Sequence, residues 1–460
     1  MNLINTLKKI TLSPERLIPA SFFITIIIGT LLLMLPFSTT EGNSTGILTA
    51  LFTATTSVCV TGLVVVDTYA HWTFFGQLVI MILAQIGGLG MISIASMLMV
   101  ITHKKFTMSN RLLLQDSFNL NSSTKLLLFL TRVFKGTMLV EGCCAILYSF
   151  VFIPEFGFWH GLWISIFNSV SAFCNAGMDI IGPNSLADYR NNPIVMSVTM
   201  FLIIMGGIGF VVWFDVLHTI KEGIIKKFTP IMIAERLSEH SKLVISFTIF
   251  LIVGGMMSFL LVEFNNPGTI GNLSFGEKLA NSLFESITMR TAGFATFPQE
   301  NLTTTSCLIA CILMFIGGSP VGTAGGVKTV TFFLLIMNVR SFVQHENRKI
   351  IFRRSVSEDS MRKASAVTFV GAIAVISFII LLSLVTTVPL EDVLFEIVSA
   401  CGTVGLSRAL TPSLGTLGRL VVIMAMFLGR IGPVSMVAML AKNKSDSNKI
   451  SYAQGIFYVG

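Results

Sequence analysis

The chain of 460 residues is 53% hydrophobic and only 12% charged, with a formal net charge of +8. A soluble domain of this size does not have that balance, so the composition predicts a membrane protein with several spans. In such a protein an excess of Lys and Arg marks cytoplasmic connectors and requires no nucleic-acid partner. The 7 cysteines form no C-x-x-C pair and the 6 histidines form no H-E-x-x-H pattern. Buried thiols are therefore expected, and neither a metal cluster nor the catalytic group of an intramembrane enzyme is predicted.

Eight apolar segments along the chain are about the length that a helix needs to cross a hydrocarbon core ~30 Å thick. They are residues 17–37, 75–101, 126–152, 194–218, 243–264, 307–338, 365–388 and 419–441. Between the first two lies a shorter apolar run, residues 47–58. As a helix this run would cover only ~18 Å, so we predict a re-entrant half-helix. Its C-terminal end carries partial negative charge, and a cation is expected there.

The stretch around this half-helix returns three more times. The four copies read F-T-A-T-T-S-V-C-V-T-G-L at 52–63, F-N-S-V-S-A-F-C-N-A-G-M at 167–178, F-E-S-I-T-M-R-T-A-G-F at 284–294 and F-E-I-V-S-A-C-G-T-V-G-L at 395–406. Their glycines, Gly62, Gly177, Gly293 and Gly405, are 115, 116 and 112 residues apart, and a quarter of the chain is 115 residues. This spacing predicts four fused copies of one unit, namely residues 1–103, 104–220, 221–345 and 346–460.

The fourth copy, a short apolar helix followed by T-V-G at 403–405, resembles the pore loop of potassium channels. In such loops backbone carbonyls replace the hydration shell of K⁺, and glycine allows the dihedrals that aim the carbonyls inward. We therefore predict a selectivity filter made of three residues from each copy. These are Val60, Thr61, Gly62, Asn175, Ala176, Gly177, Thr291, Ala292, Gly293, Thr403, Val404 and Gly405. No copy has the G-Y-G ending of channels, so the filter should be shorter and less symmetric than theirs.

A glycine-rich pentapeptide follows each copy: I-G-G-L-G at 86–90, M-G-G-I-G at 205–209, I-G-G-S-P at 316–320 and L-G-R-I-G at 428–432. In the third unit the small residues continue as G-G-S-P-V-G-T-A-G-G-V-K over 317–328. Such a run holds a helix poorly, and irregular backbone at membrane depth is tolerated only where it is buried or lines a cavity. We predict a break in the helix, with a merely kinked helix as the alternative. Val327 stands where a Walker loop needs glycine, so ATP binding is not predicted.

Arg430 replaces the middle glycine of the fourth pentapeptide, inside an otherwise apolar span. A charge within the membrane is costly and usually faces an aqueous path or a partner. Two roles stay open for Arg430, a charge that repels cations in the path or a packing residue paired with a carboxylate such as Glu141. In the first role, Arg430 and the 317–328 run would be two independent obstacles below one filter.

The distribution of Lys and Arg predicts the orientation of the chain. The termini and three connectors hold most of the basic residues, namely Lys8, Lys9, Arg16, Lys104, Lys105, Arg111, Lys221, Lys226, Lys227, Arg236, Lys242, Arg348, Lys349, Arg353, Arg354, Arg362, Lys363, Lys442, Lys444 and Lys449. This asymmetry places both termini in the cytoplasm, so the re-entrant segments enter from outside. Asp67, Asp179 and Asp188 then lie on the outer side, as attractors of cations or as ordinary solvated carboxylates.

Nearly the whole chain resembles the Trk/Ktr/HKT superfamily of potassium transporters. The resemblance is carried by the four pore-loop stretches, including G-T-V-G-L at 402–406 and R-T-A-G-F at 290–294, and by L-G-R-I-G-P at 428–433. The chain starts directly with its first unit, without the additional N-terminal helix pair of Trk-type relatives. That start favours the KtrB-type membrane subunits of bacterial Ktr systems.

This resemblance implies an all-α membrane protein of four fused helix–pore-loop–helix repeats, with eight spans and four re-entrant half-helices around a pseudo-fourfold central pore. It implies sodium-dependent uptake of K⁺ across the bacterial plasma membrane, by a homodimer seated on a cytosolic ring of KtrA-type RCK subunits. ATP or ADP is expected on those subunits, and no cofactor on this chain. The implied gate residues are Gly317, Gly318, Ser319, Gly322, Thr323, Ala324, Gly325, Gly326, Lys328 and Arg430.

The alternative within transport is a sodium/potassium symporter-like carrier with alternating access and broken helices at the membrane midplane. Carriers of that kind usually contain inverted pairs of repeats, whereas the four units here follow one another in the same orientation. The sequence therefore favours a pathway lined by a filter.

Overall fold

The computed structural model describes residues 14–90, 126–345, 350–352 and 354–432, and most of these residues are in helices. The helices are α1 (Pro14–Leu33), α2 (Ile47–Cys59), α3 (Thr68–His71), α4 (Phe74–Leu89), α5 (Leu126–Phe156), α6 (Phe158–Cys174), α7 (Pro193–Gly207), α8 (Phe210–Lys226), α9 (Pro230–Arg236), α10 (Glu239–Glu263), α11 (Phe275–Thr288), α12 (Thr304–Phe315), α13 (Thr329–Val343), α14 (Glu358–Val385), α15 (Leu390–Gly402), α16 (Leu410–Ser413) and α17 (Thr416–Ile431). The all-α prediction misses one short antiparallel hairpin of β1 (Ile350–Ile351) and β2 (Arg354–Ser355).

Within the described residues, three helices are long and apolar enough to cross a membrane: Phe129–Phe156, Glu239–Glu263 and Glu358–Val385. The bent pair of α7 and α8 makes a fourth when it is counted as one span. The other predicted spans contain shorter helices, and residues 91–101 and 433–441 of two of them lie outside the described residues. The total of eight spans therefore stays a prediction.

The segment 194–218, predicted as one of the eight spans, forms two helices, α7 and α8, with a break between them. The chain bends by 102° between α7 and α8, at Gly209, whose φ is +92°. A Cβ on Gly209 would lie 2.5 Å from the carbonyl oxygen of Pro320, and the Phe210 amide donates to the Val321 carbonyl at 3.0 Å. The helix breaks here because the third unit's irregular segment packs against it and takes up its backbone donor.

The short helices α2, α6, α11 and α15, which carry the four copied stretches, lie at the centre of the packing. Each contacts the first helix of its own predicted unit: α2 packs on α1, α6 on α5, α11 on α10 and α15 on α14. Each also contacts the second helix of the preceding unit: α6 packs on α4, α11 on α7, α15 on α12 and α2 on α17. The last of these pairs joins the fourth unit to the first, so the contacts close a ring.

One phenylalanine from each copied stretch anchors this arrangement. Phe52, Phe167, Phe284 and Phe395 are all at most 1% exposed. Between membrane helices, close packing of this kind stabilises association where apolar surface gains little from leaving lipid. The recurring phenylalanine is thus a packing residue, and it leaves the loop that follows each short helix as the candidate for function.

Candidate ion-binding site

Three of the four short helices end in the same way. The residue that follows α2, α6 or α15 takes a left-handed conformation, with φ of 55° at Val60, 58° at Asn175 and 52° at Thr403. The next amide then donates back into the last turn, for example from Val404 to the Ser399 carbonyl at 2.8 Å. In the third copy, which is one residue shorter, Thr291 holds the left-handed position with φ of 72°. Each chain segment therefore turns back at the first predicted filter residue.

The four predicted filter glycines, hereafter the ring glycines, lie against one another. All four have positive φ, between 62° and 98°. A Cβ on Gly62 would lie 2.6 Å from the Ala176 carbonyl oxygen, and one on Gly177 would lie 2.7 Å from the Ala292 carbonyl oxygen. A Cβ on Gly293 would overlap the carbonyl of Val404.

A Cβ on Gly405 would overlap the carbonyl of Thr61, which precedes the first ring glycine. The order therefore closes on itself, with each glycine beside the carbonyl that precedes the next one. Any side chain in this ring would collide with backbone, and its positive φ is strained for every residue except glycine. The four ring glycines and the carbonyls of the residues that precede them are thus brought together at one place.

Hydroxyl groups on the short helices hold the loops in position, a feature that the sequence analysis missed. The Gly62 amide donates to Thr56 Oγ1 at 2.9 Å and the Gly405 amide to Ser399 Oγ at 3.1 Å. In the second copy the Met178 amide donates to Ser171 Oγ at 3.1 Å. In the third the direction reverses, as Thr288 Oγ1 donates to the Phe294 carbonyl at 2.7 Å. A Ser or Thr at matching places in all four stretches was the signal available.

A cavity of about 570 Å³ opens on one side of the ring and is lined by all four ring glycines. Asp67, Asp179 and Glu300 also line it, so two of the three predicted acidic residues and one unpredicted residue face this space. Asp188 is exposed elsewhere. Burial, with a smaller contribution from the nearby Asp67 carboxylate, raises the pKa of Asp179 to about 6. The cavity is negative and concentrates cations beside the ring.

The opposite side of the ring is covered by residues 316–328, hereafter the 316–328 segment, which contains no helix. A kinked helix is thereby ruled out, because the segment folds back on itself, with the Gly317 amide donating to the Val327 carbonyl at 2.9 Å. Its middle docks on the end of α7 through the Ser319 and Thr323 amides, which donate to the carbonyls of Gly207 and Gly206 at 2.9 and 3.0 Å.

The same segment reaches the ring residues themselves. A Cβ on Gly325 would overlap the hydroxyl of Thr403, and Thr323 Oγ1 donates to the Phe173 carbonyl at 3.2 Å. Ser319, Thr323 and Ala324 are at most 2% exposed. Lys328 folds its ammonium group back onto the carbonyls of its own segment, at Ala324 and Gly325. The 316–328 segment is therefore closely packed beneath the ring, and it is called the plug below.

Arg430 ties this plug to the neighbouring helices. Its guanidinium donates to the carbonyls of Thr323, Gly87 and Gly88. Pairing with Glu141 does not occur, because that carboxylate instead accepts from Gln85 Nε2 at 3.1 and 3.2 Å. Arg430 and the segment, which the sequence predicted as two independent obstacles, are therefore in direct contact through a hydrogen bond.

A second buried positive side chain belongs to Arg290, the first residue of the R-T-A-G-F motif, for which the sequence predicted no role. Arg290, one residue before Thr291, is 9% exposed. It lines a small cavity of about 20 Å³ together with Gly318 of the 316–328 segment and Thr248 of α10. It is the only charged residue in the C-terminal half of any of the four copied stretches. Two positive side chains, Arg290 and Arg430, thus stand on the side of the ring that the plug occupies.

Apolar spans, a ring of backbone carbonyls and a negative cavity beside it define a membrane transport protein for cations. The model of the TrkH cation transport protein family matches residues 15–451. The chain belongs to this family.

Three relatives are similar to this chain over almost their whole length. It is 39% identical to the potassium/sodium uptake protein NtpJ of Enterococcus hirae over 445 residues, 95% of each chain. It is 37% identical to the Ktr system potassium uptake protein B of Bacillus subtilis over 454 residues, 99% of this chain and 98% of the relative. It is 32% identical to the Ktr system potassium uptake protein B of Vibrio alginolyticus, over 93% of this chain and 91% of the relative.

The solved structure of the potassium transporter TrkH from Vibrio parahaemolyticus has the same fold. The TM-score is 0.71 at 15% identity, over 94% of this chain and 86% of that one. The resemblance to the Trk/Ktr superfamily, and to its KtrB-type members, is confirmed. The family consists of potassium uptake transporters in membranes, and not of enzymes.

Proposed function

We propose that this protein takes up K⁺ across the bacterial plasma membrane through the ring, with the twelve predicted filter residues as its ion-binding selectivity filter. The observation that carries the proposal is the closed order of the ring glycines, each beside the carbonyl before the next. Carbonyls held around one point without side chains can replace the hydration shell of an ion. The C-terminal ends of α2, α6, α11 and α15 converge there and favour a cation.

The plug and Arg430 form the proposed gate below this filter, with the residues 317–319, 322–326 and 328 of the segment. Three backbone carbonyls hold the guanidinium beneath the ring, one from the segment at Thr323 and two from α4 at Gly87 and Gly88. In this state a cation that leaves the ring meets both backbone and positive charge. Transport then requires that the segment undocks.

The proposal includes a homodimer with cytoplasmic termini, sodium dependence and control by a cytosolic RCK ring that binds ATP or ADP. Two relatives are named as proteins B and D of Ktr systems, and one is named for both potassium and sodium. The surface offered to a ring includes α13 and the β1–β2 hairpin, where Arg354 pairs with Glu239 at 3.1 Å. Exposed pairs of this kind contribute little to stability, so they can exchange partners.

The filter is tested by Gly405→Ser against Gly415→Ser as the matched control. Gly415 is the N-cap of α17, with nothing within 4 Å of an added Cβ, a place where serine is favoured. We expect Gly405→Ser to weaken K⁺ uptake and its preference over Na⁺ by at least ~tenfold in cells that lack other K⁺ uptake, and Gly415→Ser to match wild type. Unchanged affinity and sodium discrimination in a well-expressed Gly405→Ser protein would refute the filter.

The partner is tested by adding a purified KtrA-type RCK ring to proteoliposomes of the full chain, with ATP, with ADP and with and without Na⁺. Stimulation that depends on nucleotide supports the proposed control, and stimulation that depends on Na⁺ supports sodium dependence. A ring that neither binds nor changes flux would remove this part of the proposal while leaving the filter test untouched.

A further inference from the structure

At one position on the four short helices the residue type differs between the units, and the geometry of the ring does not explain the difference. The residue directly after the anchoring phenylalanine is Thr53, Asn168, Glu285 or Glu396, and each of these is buried. A buried polar group at this depth is costly unless it is hydrogen bonded. A carboxylate held there with two donors therefore indicates a function beyond packing.

Glu396 is held in that way. Ser407 Oγ donates to its Oε2 at 2.6 Å, and Thr411 Oγ1 donates to its Oε1. Ser407 Oγ in turn accepts from the amides of Leu410 and Thr411 at 3.2 and 3.3 Å. Each hydroxyl has only one proton to donate, so the direction of the chain of hydrogen bonds is set by the carboxylate as acceptor.

These contacts attach the fourth loop to α15 at a second point. The Gly405 amide is already tied to Ser399 on α15, and Ser407 follows Gly405 by two residues. Glu396 and Ser399 are three residues apart on the same helix, hence on the same face. The fourth loop is thus bound to one helical face immediately before and immediately after its last filter carbonyl.

The second loop lacks the attachment that Glu396 makes in the fourth loop. Asn168 occupies the place of Glu396, and its side-chain oxygen and nitrogen make no hydrogen bond within the described part of the chain. The second loop is attached to its own short helix by the first tether, from Met178 to Ser171. The two positions therefore form a matched pair, one with the additional clamp and one without it.

We propose that Glu396 is a positioning residue that clamps the fourth loop through Ser407 and Thr411 and thereby sets the preference of the ring for K⁺ over Na⁺. The inference rests on the proposed filter. Gly405 lies against the Thr61 carbonyl and Val404 against Gly293, so the fourth loop touches two neighbouring loops of the ring. Releasing it lets their carbonyls close in on a smaller ion, which lowers the discrimination against Na⁺.

The test measures ion binding on the purified full-length protein, because binding does not depend on the gate. Apparent dissociation constants for K⁺, Rb⁺ and Na⁺ are obtained from the rise in melting temperature with ion concentration. Glu396→Gln keeps the shape but turns one acceptor into a donor, and Ser407→Ala removes one donor. Each variant should reduce the ratio of the Na⁺ to the K⁺ constant by about tenfold, the effect of one hydrogen bond.

The double variant Glu396→Gln/Ser407→Ala should show the same ratio as either single variant, because both changes break one clamp. Asn168→Leu, at the matching position, should keep the wild-type ratio. Wild-type ratios in both single variants, or a lowered melting temperature without ions at an unchanged ratio, would overturn the inference and leave Glu396 a purely structural residue. If Gly405→Ser also keeps the wild-type ratio, the proposed filter itself fails.

Discussion

The first glycine of the pentapeptide has one role in the first, second and fourth units and a different role in the third unit. In the first, second and fourth units the first glycine of the pentapeptide lets the helix touch the last turn of a short helix. A Cβ there would overlap a carbonyl: Val58 for Gly87, Phe173 for Gly206 and Cys401 for Gly429. In the third unit a Cβ on Gly317 would instead overlap the carbonyl of Gly325, in its own segment.

The comparison shows that the glycine pentapeptide is compatible with either a packed helix or the folded-back plug. The residues that follow the pentapeptide determine which of the two structures forms. Ser319 and Pro320 follow the third pair of glycines, and seven of the next eight residues up to Lys328 are small or β-branched. Proline cannot continue a helix, and glycine-rich sequence weakens it further. The freed backbone groups are then taken up by α7, which is itself bent at that place.

The largest effect is expected from removing the plug. Deleting residues 318–325 joins Gly317 to Gly326, and a Cβ on Gly326 would lie only 3.2 Å from the Gly317 Cα. A single peptide bond, with Cα atoms ~3.8 Å apart, can therefore close the gap with little movement. We expect partner-free K⁺ flux in proteoliposomes to rise by at least ~tenfold. Selectivity should be unchanged because the ring remains, and wild-type flux from well-folded protein would show that the plug is not a gate.

The next effect separates the two contributions of Arg430. Arg430→Ala removes both the charge and the hydrogen bond to the Thr323 carbonyl, whereas Arg430→Gln keeps a donor and removes the charge. A cation at ~6 Å from a fixed charge is disfavoured by ~3 kcal/mol at an effective dielectric of ~20. Both variants should therefore raise partner-free flux, with alanine above glutamine.

In the plug-deleted protein the two Arg430 variants should differ less, since the hydrogen bond to the Thr323 carbonyl no longer exists and only the carbonyls of Gly87 and Gly88 remain as partners. Flux measured in the single and combined variants gives this coupling directly. Fully additive effects in alanine and glutamine alike would restore the view that charge and plug act independently.

Much of this arrangement could be predicted from the sequence, because repetition converts weak signals into strong ones. A single T-V-G carries little information, whereas four copies at nearly equal spacing predicted the four glycines that meet in the ring. The break over 316–328 was also predictable, from small residues alone. The partners of Arg430 were not, because backbone carbonyls leave no mark in a sequence, and a carboxylate was the natural partner to consider.

The size of the bend between α7 and α8 could not be predicted, for a related reason. Residues 194–218 are mostly apolar and have the length of one span, with the glycine pentapeptide at 205–209 inside it. The bend depends on the 316–328 segment, more than a hundred residues away, which supplies the Val321 carbonyl to the Phe210 amide. Local pattern gives element type well, but it does not show where a distant segment will compete for a backbone donor.

A smaller effect should separate the two uses of the pentapeptide glycine. Gly87→Ala pushes a methyl group into the Val58 carbonyl and should lower stability by about 1–3 kcal/mol, seen as a lower melting temperature with little change in residual flux. Gly317→Ala pushes against the plug and should raise partner-free flux a few-fold with a smaller loss of stability. Gly254→Ala is the control, since α10 has nothing within 4 Å of that Cβ. Equal melting temperatures for Gly87→Ala and Gly254→Ala would contradict the packing role.

The smallest effect concerns the negative cavity on the other side of the ring, where pH should tune K⁺ affinity. Asp179 has a pKa of about 6 because burial disfavours its charged form. It is therefore mostly ionised at pH 7.5 and mostly neutral at pH 5.5. Losing one negative charge ~8 Å from an ion in a water-filled cavity changes binding by about twofold. The KM for K⁺ should thus rise about twofold on acidification.

The effect of pH on folding stability through Asp179 is opposite in sign to its effect on K⁺ affinity. Because the pKa of Asp179 is higher in the folded chain than in an unfolded one, its ionisation destabilises the fold as pH rises through 6. K⁺ affinity should therefore increase with pH while the contribution of Asp179 to stability decreases. Asp179→Asn should remove both trends and fix KM at the acidic value, whereas Asp188→Asn, which changes an exposed carboxylate away from the cavity, should leave them in place. A twofold shift that persists in Asp179→Asn would assign the pH dependence to another group lining the cavity.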